Sequence, residues 1–75
     1  MKTLFLHEAI GKALDELSNK TGSYKEISEI ISRDSTYLDK HGFPPLPKQI
    51  SARVNKYGQY FDKVQGGVKL IRPVR

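Results

Sequence analysis

The sequence predicts an α+β domain of three helices followed by a C-terminal β-hairpin. Three observations carry this. Apolar residues recur at i, i+3, i+4, i+7 through the first half. A proline-led stretch of the same spacing runs from Pro47 to Gly58. After it, β-forming residues flank Gln65-Gly66-Gly67. With 75 residues the chain makes one domain, residues 1–75. A chain this short buries about 60% of the surface its unfolded form exposes, enough for a core but not for a deep, water-excluding active site.

The first helix is predicted from about Leu4 to Ser18. Leu6, Ala9, Ile10, Ala13, Leu14 and Leu17 share one face, and His7, Glu8, Lys12, Asp15 and Glu16 fall on the other. Gly11 costs the helix about 1 kcal/mol relative to alanine, which implies a tolerated exposed glycine or a close backbone approach. Asn19-Lys20-Thr21-Gly22 ends the helix, with Gly22 suited to a left-handed turn. Ser23 and Glu26 have the spacing of a capping box and open a second helix. Ile27, Ile30 and Ile31 form its stripe, and it fades near Arg33. The segment from Asp34 to Leu46 reads as an irregular loop, with Tyr37, Leu38, Phe43 and Leu46 expected to tuck onto the core. Pro44-Pro45-Leu46-Pro47 resembles a polyproline ligand, but these prolines are expected to brace the loop into the third helix.

Pro47 suits the first position of that helix, where a missing N–H costs nothing. Ile50, Val54 and Tyr57 form its buried stripe and Gly58 closes it. Strands are predicted over Tyr60 to Val64 and Val68 to Ile71, with Phe61 and Leu70 facing inward.

Charge is distributed unevenly. The net charge is +5, but residues 1–40 hold six basic side chains against seven acids, net −1. Residues 41–75 hold seven basic side chains against Asp62 alone, net +6. Such asymmetry points to a polyanion met by one face. On a helical wheel, Lys48, Ser51, Ala52, Asn55 and Lys56 lie opposite the buried stripe of the third helix, with Gln49 and Arg53 at the flanks. No acid occurs among positions 44–61, whereas an ordinary solvated helix face mixes signs. Lysine and arginine seek phosphates, asparagine and glutamine suit adenine, and arginine suits guanine. Ala52 leaves room for a backbone or a thymine methyl. Lys63 and Lys69 lie on the two arms of the hairpin, with Arg72 just beyond. The candidate DNA-binding residues are therefore Lys48, Gln49, Ser51, Ala52, Arg53, Asn55, Lys56, Lys63, Lys69 and Arg72.

The sequence also resembles a HARE-type winged helix-turn-helix domain, from about Leu4 to Ile71. The likeness rests on Tyr24-Lys25-Glu26-Ile27, on Asp39-Lys40-His41-Gly42, and most of all on Gln49-Ile50-Ser51-Ala52-Arg53-Val54-Asn55-Lys56-Tyr57. Tyr60-Phe61 and, after a short wing, Val68-Lys69-Leu70 complete it. Domains similar to this occur in restriction-modification proteins, chromatin regulators and an RNA polymerase accessory subunit, mostly as non-catalytic DNA-directed modules. The resemblance implies a winged helix whose third helix enters the major groove while the wing tracks the backbone. It would place Lys48, Gln49, Arg53, Asn55 and Lys56 on the reading helix and Lys63 and Lys69 on the wing.

Other chemistry lacks its residues. The chain has no cysteine, which excludes disulfides, thiolate zinc sites and iron–sulfur clusters. His7-Glu8 would need a second histidine where Gly11 stands to make a zinc-protease motif. Gly11-Lys12 lacks the rest of a phosphate-binding loop. His7 and His41 are the only histidines, and no nucleophile–base pair suggests an enzyme. No cofactor is expected. No apolar run approaches the ~18 residues of a membrane span, and the apolar start at Met1 to Leu6 is too short for a signal peptide. A cytoplasmic setting fits, nucleoid-associated if the protein is prokaryotic. The chain stops a few residues after the hairpin, as the N-terminal module of a longer protein would. The expected partner is double-stranded DNA, the alternative a protein of a transcription, chromatin or restriction-related assembly. RNA binding would call for interleaved basic and aromatic residues as a stacking platform, and the sequence shows none.

Overall fold

A computed structural model describes residues 5–34, 37–38 and 42–72. The elements follow the order α1 (Leu6–Asp15), β1 (Thr21–Gly22), α2 (Tyr24–Asp34), α3 (Pro47–Lys56), β2 (Phe61–Val64) and β3 (Gly67–Leu70). Three helices precede a C-terminal antiparallel hairpin, the layout of a winged helix. The predicted start of the first helix at Leu4 and the loop residues Asp39, Lys40 and His41 lie outside the described residues.

Each helix begins with the same local device. Three residues into the helix, a side chain folds back to accept the N–H of the residue before it. Glu8 accepts from Phe5 (3.1 Å), Glu26 from Ser23 (2.9 Å) and Gln49 from Leu46 (2.8 Å). Only α2 completes the capping box, because Ser23 Oγ in turn accepts the Glu26 N–H (3.1 Å). The amphipathic stripes then meet. Leu6, Ala9, Ile10, Ala13 and Leu14 of α1, Ile27 and Ile31 of α2, and Ile50 and Val54 of α3 are buried together with Phe61, Val68 and Leu70 of the hairpin. Leu17, Ile30, Tyr37, Tyr57 and Tyr60 pack around the margin.

The chain departs from the sequence reading in four places. First, α1 ends at Asp15 and a single 3₁₀ turn, Ser18–Lys20, follows it. The left-handed residues there are Asn19 (φ 56°) and Lys20 (φ 52°), not Gly22. Gly22 instead belongs to β1, which pairs antiparallel with β3 and makes a three-stranded sheet of order β1-β3-β2. Second, Gly11 is buried, which removes the exposed-glycine alternative of the sequence reading. Third, α3 closes without a left-handed glycine. The Tyr57 N–H caps the Arg53 carbonyl (3.0 Å) and a turn carries the chain through Gly58 to Tyr60.

Fourth, the loop before α3 is held differently. Tyr37 packs on the core, but Phe43 and Leu46 are each 65% exposed and Leu38 is also exposed. Pro45 takes their place as the buried residue. Its carbonyl accepts the Ser28 hydroxyl of α2 (2.8 Å), which fixes the entry to α3 against α2. The bracing role expected of the prolines thus rests on one ring and one hydrogen bond.

Candidate nucleic-acid interface

Ile50 and Val54 bury one side of α3, and the opposite side is open to solvent. Lys48, Gln49, Ala52, Asn55 and Lys56 are exposed, and Ser51 and Arg53 are half-buried at its margins. The wheel places Lys48, Ala52, Asn55, Lys56 and Arg53 as found, but Ser51 is at the margin where it puts Gln49, and Gln49 is exposed. The ion pairs among the described residues lie in the N-terminal half, where Lys12 and Lys25 nevertheless have none. In the N-terminal half, Lys20 pairs with Asp15 (3.6 Å), and Arg33 pairs with Glu16 (2.7 Å) and Asp34 (2.9 Å). The Arg33 hydrogen bond holds the Asp34 carboxyl below its ordinary value, and the two carboxylates push the Arg33 guanidinium above its own. By contrast Lys48, Arg53, Lys56, Lys63, Lys69 and Arg72 have no carboxylate within ion-pair distance among the described residues. A cation without an internal partner keeps its charge available to a ligand.

Gln49 has a second task. Its Oε1 accepts the Leu46 N–H at 2.8 Å, which turns that end of the amide back toward the start of α3 and leaves it one lone pair. Bidentate reading of adenine needs both ends of the amide, which leaves Asn55 as the side chain equipped for it. Gln49, Ala52, Arg53 and Lys56 meet Leu6 of α1 and Tyr37 of the loop around a depression of about 280 Å³. One flank of the α3 face is therefore concave.

The hairpin turns on Gln65-Gly66, with Gly66 at φ 81°. Gly67 is not part of the turn but pairs with Val64. A side chain there would collide with the Gly22 carbonyl, so Gly67 is the point where β1 closes onto β3. Register separates the two wing lysines. Lys63 stands opposite Val68, and Lys69 stands opposite Asp62. Directly opposed residues share a face of a sheet, and neighbours along a strand alternate. Lys63 and Lys69 thus leave the ribbon from opposite faces, and Asp62 lies beside Lys69.

Sequence reading missed a column of rings beside α3. Phe61 is buried, and Tyr60 meets it edge-on (6.3 Å between ring centres, 73°). Tyr57 lies 6.4 Å from Tyr60, His7 stacks on Tyr57 at 4.1 Å and 18°, and Phe5 lies 5.9 Å beyond at 10°. Lys56 Nζ sits 5.9 Å from the centre of the Tyr57 ring. Residues from both ends of the chain build this column, so no local window reveals it.

Among the described residues no cluster of histidine and carboxylate side chains could hold a metal ion, and no helix is long and apolar enough to cross a membrane. Compared with known proteins, the chain matches no family model, no curated protein and no solved structure.

Proposed function

We propose that this domain is a non-catalytic module that binds double-stranded DNA, with α3 in the major groove and the hairpin along the backbone. The observation that carries the reading is the set of cations on α3 and the hairpin that lack an internal carboxylate partner. The resemblance to HARE-type winged helices supports it. Phosphates would be captured first by Lys48, Lys56 and the wing cations, which release condensed counterions. Base edges would then be read by Asn55 toward adenine and Arg53 toward guanine, with Ala52 admitting a thymine methyl. Ser51 and the N–H groups of Gln49 lie within the same face. Such a module would work in the cytoplasm or nucleoid.

The test is fluorescence anisotropy with a duplex of about 20 base pairs at several salt concentrations. Neutralising about four to six phosphates gives a slope of roughly −4 to −5 in log affinity against log salt. The double variant Arg53→Glu, Lys56→Glu should lose duplex binding while its melting temperature barely changes. Survival of affinity in that variant would remove α3 as the reading element.

One observation favours a protein partner instead. Phe43, Pro44, Leu46 and Gln49 line an apolar groove of about 510 Å³ where α3 begins, and Lys48 follows directly. An acidic segment with an apolar edge, as in a transcription, chromatin or restriction-related assembly, would suit it. Absence of salt-dependent duplex binding would move the reading there.

A further inference from the structure

The rings beside α3 form an ordered series. The inner contact, Tyr60 on Phe61, is edge-on at 73° and ties the column to the core. The outer two, His7 on Tyr57 and Phe5 on His7, are within 18° of parallel. His7 overlaps the Tyr57 ring, and Phe5 continues the series nearly parallel but displaced sideways. The last ring, Phe5, is 72% exposed. Its backbone is fixed at the start of α1, where its N–H donates to Glu8. Glu8 is thereby folded back onto the chain as a cap.

Cations flank the column. Lys56 lies 5.9 Å from the Tyr57 ring centre, and Arg53 is one turn earlier on the same helix. Both line the depression that Leu6 closes, and Leu6 stands between Phe5 and His7 in the chain. The Lys56 ammonium thus adjoins the Tyr57 ring of the column, and Arg53 lies on the same helix one turn away.

We infer that this column is a stacking platform for an unpaired base of a single-stranded nucleic acid. One base lies on Phe5 and continues the series, and Arg53 and Lys56 hold the adjacent phosphates. An intact duplex cannot use the platform, because both faces of its internal bases are covered and only their edges are open. Single strands are held by successive stacking on aromatic side chains within a positive surface. The inference is independent of major-groove binding and shares only Arg53 and Lys56 with it.

The experiment measures anisotropy of labelled single strands of about 12 nucleotides, one with deoxyribose and one with ribose, beside the duplex. Wild type is compared with Phe5→Ala and Phe5→Trp. Phe5→Ala should weaken single-strand binding about tenfold, the loss of one stacked base, and leave duplex affinity unchanged. Phe5→Trp should retain binding. Because the chain has no other tryptophan, its fluorescence should be quenched when a single strand binds. Failure of wild type to bind either strand at low salt overturns the inference, even if the duplex binds. So does a Phe5→Ala variant that binds single strands as wild type does. Single-strand binding that falls with Phe5→Ala supports it, even if the duplex does not bind. The relative affinity of the two strands tells whether the sugar contributes.

Discussion

Gly67 and Gly22 have no side chain for different reasons, and the difference can be measured. A Cβ on Gly67 would overlap the carbonyl of Gly22 and press on Ser23, all of it backbone. A Cβ on Gly22 would meet the end of the Leu17 side chain, which can rotate away. Overpacking costs about 1–3 kcal/mol, and replacing glycine with alanine returns about 0.4–1 kcal/mol through the unfolded state. Gly67→Ala should therefore be the more harmful change, near the upper end of that range, and Gly22→Ala should lie within about 1 kcal/mol of wild type. Thermal melting separates them, since each kcal/mol moves the midpoint by about 4–8 °C in a domain of this size. Equal midpoints for Gly67→Ala and wild type would mean that β1 does not close onto β3. Neither role is legible in the sequence, where Gly67 reads as part of the turn and Gly22 as a helix stop. Both roles depend on a neighbour that the sequence does not bring near. The Ser23–Glu26 cap is legible because its partners are three residues apart and need nothing else.

The same contrast holds at the level of elements. The stripes of α1, α2 and α3 can be read from spacing, because helix geometry fixes which residues share a face. Strand β1 cannot, since two residues carry no period and exist as a strand only through β3. The apolar residues of the loop mislead for a related reason. Phe43 and Leu46 look like core on hydropathy, but Ser28 fixes the carbonyl of Pro45 and Pro45 occupies the buried place. In the hairpin, composition finds both lysines while only register tells that they face apart. A DNA backbone that lies along one face of this ribbon meets one of them. Reversing that lysine to glutamate should lower duplex affinity several-fold and reduce the salt slope by about 1. Reversing the other should leave both quantities nearly unchanged. Titrations of Lys63→Glu and Lys69→Glu over a salt series check this, and equal losses would mean that the ribbon enters a groove edge-on.

Across the whole molecule, the exposed side of α3 and the ring column share one small core. The ion pairs among the described residues, at Lys20 and Arg33, lie in the acidic half, and the basic half has none. The charge asymmetry behind this division is readable by counting. The ring column is not, because Phe5 and His7 come from one end of the chain and Tyr57, Tyr60 and Phe61 from the other. Both surfaces depend on α3, and α3 is held chiefly by Ile50 and Val54. At roughly 0.05–0.15 kcal/mol per residue, 75 residues carry a total stability of about 4–11 kcal/mol. Ile50 is fully buried, so Ile50→Ala should remove about 2–5 kcal/mol, a large share of that total. The urea midpoint should fall steeply, whereas that of the Arg53→Glu, Lys56→Glu variant should stay near wild type. Below its own transition, Ile50→Ala should still bind nucleic acid, because no atom of Ile50 reaches the surface. An Ile50→Ala variant as stable as wild type would show that the inner side of α3 is not the one described here. Loss of binding by a fully folded Ile50→Ala would show that the reading surface needs a more exact α3 position than packing on Val54 alone can give.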